Sequence, residues 1–280
     1  MNVDAALLSF LFNGSWAAFL VLLDRRARQS PFMLAFALAM GMTAAAAVLM
    51  AKSWMDPSVL RPGFIPDWVW RDYFEAGTLE ETIKAILFLV MAWALRPKDP
   101  ARVFLLAAFV GAGFALTENM GYILQGAFNS LASDPEAYYR TIISVAVARS
   151  VPTHAAFTGI PGFVLAYAMF YRPIRGHFYL VLPALLASIL LHGTWNALSS
   201  GFFLEKYIGV MALLVLMAWG VKALTDRLNP SFMIAWKHRW IALAPIDHLG
   251  KPQSKKLETL LAAMAAFVYS LLMVNLLVAR

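Results

Sequence analysis

Glu80 and Glu81 stand side by side with Lys84 just beyond them; Glu118 and Asn119 are adjacent; Arg149 precedes His154 by five residues; and His192 precedes Asn196 by four. On a helix, positions three and four apart share a face, so Lys84 lies beneath both glutamates and His192 above Asn196. Neighbouring Glu80 and Glu81 point about 100° apart. One therefore reaches a reaction centre while the other pairs with a cation, Lys84 or Arg149. The chemistry such a set can do is water activation, with a carboxylate as general base and imidazoles either as metal ligands or as donors to a tetrahedral oxyanion. Two His and one Glu is a known zinc ligand set, although the compact HExxH spacing is absent.

Other nucleophiles are poorly served. The chain has no Cys, which removes thiol catalysis and cysteine-ligated zinc. Ser150 and Thr153 lie near His154, but no Gly-flanked serine elbow surrounds them. A pair of aspartates for an aspartyl dyad is missing from the apolar stretches.

What must position these groups is a set of membrane helices. Of the 280 residues, 61% are hydrophobic and 14% charged, whereas an average soluble domain carries about 25% charged residues. With a mean hydropathy of +0.67, the bilayer is the natural solvent for so much apolar surface. The expected fold is all-α, a polytopic transmembrane helical bundle of about eight membrane-spanning helices forming one integral membrane domain over 1–280. The apolar stretches run approximately over 5–23, 32–51, 79–95, 103–125, 141–171, 178–200, 206–224 and 257–279. The first is preceded by Asp4 and no cation, so it is expected to be a retained helix rather than a cleaved signal.

Cations crowd the odd connections, as in Arg25, Arg26, Arg96, Lys98, Arg172 and Arg175, while acids such as Asp56, Asp67, Asp72, Glu75 and Asp134 gather in the even ones. This is the positive-inside pattern, and it accounts for the net charge of +7 without a nucleic-acid partner. Odd connections are thus cytoplasmic. The seventh, 225–256, contains Trp236, Lys237, His238, Arg239 and Trp240 and reads as a basic interfacial segment on the lipid bilayer.

At about 1.5 Å per residue, Glu80, Glu118, His154 and His192 each lie about 22–27 Å from the cytoplasmic end of their helix. In a hydrocarbon core about 30 Å thick, that is one layer several Å below the outer face. Four helices bringing ionisable groups to one depth indicate one buried site near that face, within core helices at about 79–200, because each group is costly there unless paired. Proton-coupled transport is the less favoured alternative, since the polar residues stop near the outer face; a non-catalytic membrane scaffold would keep the helices without needing the charges. The aromatic connection before Glu80, with Trp54, Phe64, Trp68, Trp70, Tyr73 and Phe74, suits an interfacial belt or a lid.

Glu80-Glu81-Thr82-Ile83-Lys84 matches EExxK, Phe114 to Glu118-Asn119 matches FxxxEN, His154 has Gly162 eight later, and His192 to Asn196 matches HxxxN. This ordered set resembles the PrsW family of intramembrane proteases, itself similar to a wider group containing the CAAX prenyl endopeptidases and bacteriocin-immunity membrane proteins. The resemblance implies a membrane metalloprotease that clips a single-pass membrane protein, such as an anti-sigma factor, on its extracytoplasmic side, in the cytoplasmic membrane of a bacterium or archaeon. It makes Glu80 and Glu81 the essential acidic pair and His154 and His192 the histidines, with zinc as the expected metal. Glu118-Asn119 stands where the prenyl endopeptidases end their motif in His. Glu118 is thereby a candidate third ligand beside His154 and His192, with the roles of base or partner of Lys84 also open to it. Asn119 and Asn196 complete the expected catalytic set, and Lys84 and Arg149 support it.

Overall fold

A computed structural model describes residues 31–55, 60–130, 135–149, 151–170, 177–198 and 203–227. Apart from Asp226 and Arg227, these residues belong to one compact unit, Met1–Thr225. The expected spans at 5–23 and 257–279, and the basic segment from 228 onward, lie outside the described residues. Seven long helices carry the described chain: α1 Pro31–Trp54, α2 Leu79–Leu95, α3 Pro100–Ser130, α4 Pro135–Ala148, α5 Thr153–Phe170, α6 Val181–Ala197 and α7 Phe203–Arg227. No strand occurs among the described residues, so the protein is all-helical there.

Two of the about eight expected spans, 5–23 and 257–279, thus go without a counterpart to compare. Among the described residues three helices are long and apolar enough to cross a membrane: α1, Pro100–Gly126 of α3, and α5. Val181–Ala197 and Tyr207–Lys222 are apolar but shorter. The expected span 141–171 is in fact two helices, α4 and α5. Pro152 breaks it, since proline has no N–H to continue the ladder and pushes the preceding residue, Val151, out of helical geometry. Arg149 therefore sits just past the end of α4, its N–H bonded to the Val145 carbonyl at 2.9 Å, and not on the helix of His154.

The hairpin between α2 and α3 sets their register. Arg96 ends α2 in a left-handed conformation at φ 46°, with Pro97 behind it. Asp99 then caps α3, its Oδ1 accepting the Arg102 N–H at 2.8 Å, and Pro100 takes the first helical position. Running antiparallel from this turn, α2 and α3 bring Glu80 and Glu118 back to the same end. Small residues let the backbones approach closely. At Gly111 of α3, any Cβ would strike the carbonyl of His154, so this glycine is what allows the first turn of α5 to rest on α3. Gly162 meets Ala107 further along the same seam. On the other side of α3, Gly113 lies against the Leu38 carbonyl of α1.

Pro161 stands inside α5 and cannot bond the carbonyl of Phe157 four residues earlier. The fully buried Ser188 hydroxyl of α6 donates to that carbonyl, clasping α6 to α5 one turn from His192. We expect Ser188→Ala to destabilise the protein by about 1–3 kcal/mol, the cost of a buried carbonyl left without a partner. Thermal unfolding in detergent would measure this, and an unchanged melting temperature would mean that the carbonyl finds another donor.

Candidate active site

Glu80 and Glu81 occupy the first turn of α2, Glu118 the C-terminal half of α3, His154 the first turn of α5 and His192 the last turns of α6. All but Glu118 are at most 5% exposed, and Lys84 is wholly buried, so their charges must be satisfied within the protein. Lys84 Nζ donates to Glu81 Oε1 at 2.5 Å and to His154 Nδ1 at 2.9 Å. Because an ammonium can only donate, His154 carries its own proton on Nε2, which faces Glu118 Oε2 at 2.9 Å. Glu118 Oε2 also lies 3.0 Å from Arg149 Nη2. His192 Nδ1 is 2.8 Å from Glu81 Oε1 and so donates to it, which leaves the Nε2 lone pair free. That nitrogen lies 3.8 Å from Glu80 Oε2.

Phe114, the first residue of the FxxxEN match, lies under this chain. Its ring centroid is 4.4 Å from Lys84 Nζ and 4.9 Å from that of His154, so its face favours the cation.

A cavity of about 180 Å³ opens beside the network. Glu80, Glu118, Arg149, His154, His192 and Asn196 line it, but Glu81 and Lys84 do not. Asn119 is also turned elsewhere: its amide donates to the Arg149 carbonyl at 2.8 Å, tying α3 to the chain at the end of α4. Sequence reasoning missed Lys52 of α1, which pairs with Glu80 Oε1 at 2.8 Å. At the end of an apolar stretch it reads only as a topology charge. It also missed Asp72, buried in the cavity wall with Arg71 Nε at 2.8 Å.

The aromatic connection before α2 ends in a π-helix, Trp70–Thr78, running straight into it. Its wider turn carries Asp72, Glu75 and Ala76 into the cavity wall while Tyr73 seats on α6. Gly193 is required there, since a Cβ would enter the Tyr73 ring, and the Tyr73 hydroxyl lies 3.1 Å from Thr194 Oγ1. Trp54 and Phe64 are exposed, as an interfacial belt would have them.

Residues 29–220 match the family described as PrsW family intramembrane metalloprotease. The chain belongs to the PrsW family. The match takes in all four motif-bearing helices and α1 as well, so the protein is a member of a family of membrane proteases. No curated protein and no solved structure matches it.

A PrsW-family metalloprotease must offer a metal a set of ligands. Among the described residues one group is so disposed: Glu80, His154 and His192 each present one ligand atom, all within 4.8 Å of one another. Glu118 is not in this group, being engaged with Arg149 and His154. The fit rests on Glu80 Oε2, which is buried with no hydrogen-bond partner and turned toward the free His192 Nε2. An orphaned buried carboxylate oxygen beside an imidazole lone pair is what a cation would satisfy. Glu81 behind His192 supplies the carboxylate–histidine support such ligands usually have. His154 spends its nitrogens on Lys84 and Glu118, so as third ligand it must release one of them.

Proposed function

We propose that the protein hydrolyses a peptide bond in a single-pass membrane protein near the extracytoplasmic face of the bilayer, with zinc held by Glu80, His154 and His192. The observation that carries this reading is the unpartnered Glu80 Oε2 facing His192 Nε2 at the wall of a polar cavity. When bound, zinc polarises the scissile carbonyl and lowers the pKa of a water. Glu118 lines the cavity next to His154 and takes the proton of the attacking water, then passes it to the leaving amine. Arg149 holds Glu118 in place through the same Oε2 that faces His154. Glu81 acts differently, orienting His192 and neutralising Lys84. Asn196, on the cavity wall one turn beyond His192, is placed to bind the substrate carbonyl or its oxyanion.

The substrate side follows from charge and depth. The cationic turn at Arg96, Lys98 and Arg102 lies at the opposite end of α2 and α3 from Glu80 and Glu118, which under the positive-inside rule supports an opening on the outer side. A membrane-anchored anti-sigma factor, cut to begin regulated intramembrane proteolysis, suits that placement.

The test is to incubate the purified protein with single-pass membrane proteins, with and without a chelator, and to identify fragments by mass spectrometry. Cleavage is expected within or beside the outer end of the substrate helix, to cease on chelation and to return with zinc. His192→Ala should lose stoichiometric metal along with activity, because two remaining protein ligands rarely hold it. Undiminished cleavage by a protein stripped of metal would refute the metal assignment, and would move the oxyanion role to His154, His192 and Asn196.

A further inference from the structure

Lys52 lies in the last turn of α1, outside the four motif-bearing helices, yet its Nζ reaches Glu80 Oε1 at 2.8 Å. A lysine at a helix end near the membrane surface ordinarily extends its ammonium outward to water. This one turns inward, to a carboxylate whose side chain is 3% exposed. The other cations of the site are already placed, Lys84 on Glu81, Arg149 on Glu118 and Arg71 on Asp72.

The two oxygens of Glu80 are thereby made unequal. Oε1 is held by Lys52, while Oε2 has no hydrogen-bond partner and faces His192 Nε2. The last torsion of a glutamate is broad and nearly two-fold, so without a partner either oxygen, or both at once, would be presented to a cation. We propose that Lys52 is a positioning residue of the metal site, holding Oε1 so that Glu80 offers Oε2 alone as a one-oxygen ligand. This rests on the metalloprotease reading above. The seam of α1 on α3 at Gly113 fixes where α1 lies, so α1 becomes part of the catalytic apparatus and not only a lipid-facing helix.

The test uses the full chain, stripped of metal in detergent and titrated with Co²⁺ as the probe. Four-coordinate Co²⁺ absorbs several-fold more strongly in the visible than five- or six-coordinate Co²⁺, so the spectrum reports whether Glu80 binds through one oxygen or two. Wild type should bind one Co²⁺ with the strong spectrum. Lys52→Met should bind about 10- to 100-fold more weakly, the usual effect of losing a partner behind a ligand, and with a weaker spectrum. Lys52→Arg, which keeps a charged donor, should restore both. Should Lys52→Met fail to fold, Lys52→Gln keeps an N–H for Oε1 without the charge, and its affinity should fall between those of wild type and a protein lacking Glu80. Affinity and spectrum equal to wild type in the neutral variant that folds would overturn the role of Lys52 while leaving the metal site standing. A wild-type protein that takes up no Co²⁺ would instead overturn the metalloprotease reading, and this role with it.

Discussion

Glu118→Gln is expected to lower turnover by about 100-fold or more, the usual contribution of a positioned base, while leaving the protein folded and its metal bound. Three carboxylates compete for that role, and their partners separate them. Glu81 Oε1 is shared between Lys84 and His192, its Oε2 faces Thr158 at 3.4 Å, and it does not line the cavity. Glu80 is pinned by Lys52 and points its free oxygen at His192. Glu118 lines the cavity with its side chain 21% exposed, so water can reach it. The glutamine keeps the shape and the Arg149 contact but cannot take a proton. Single-turnover cleavage, with metal content measured on the same sample, checks this. Near-normal cleavage by Glu118→Gln, together with a dead but metal-replete Glu80→Gln, would assign the base to Glu80.

Lys84→Met should cost folding as well as activity. The ammonium is completely buried and bonded to both Glu81 and His154, so its removal strands a carboxylate and leaves an imidazole nitrogen unpartnered. Breaking a buried pair from one side is worth about 3–5 kcal/mol, a large part of the stability of any domain. Adding Glu81→Gln to Lys84→Met removes both charges, and the double variant should recover most of the lost stability without regaining activity. Unfolding in detergent compared across the two single variants and the double gives the coupling directly. A Lys84→Met protein as stable as wild type would mean that Glu81 does not depend on this cation, and would undo the separation of roles among the three glutamates.

Much of this was legible in the residues themselves. The apolar stretches gave the helical class, because a chain with so few charges has the bilayer as its solvent. The four motifs pointed to a shared network, since ionisable groups buried on several helices must meet in order to satisfy one another. Glu80, Glu81, Lys84, Glu118, Arg149, His154 and His192 are all in the one network. Less legible were the ends of the elements: 141–171 is a single apolar run by hydropathy, and the local veto of Pro152 on helical geometry divides it.

Composition and spacing thus pointed to a buried, charged cluster and to Glu80, Glu81, Lys84, Glu118, Arg149, His154 and His192 as members, though not to Lys52 or Asp72, because a charge in hydrocarbon is costly unless it is paired. Which oxygen meets which nitrogen was decided only by the packing of the helices. Gly111 sets α5 against α3 and so places His154 between Lys84 and Glu118; Gly193 admits Tyr73 and with it the cavity wall. Lys52 enters the site from α1 for the same reason, 28 residues away in sequence from the Glu80 it holds. Side-chain hydrogen bonds act over about 3 Å, and no spacing along separate helices specifies their rotation and separation to that tolerance.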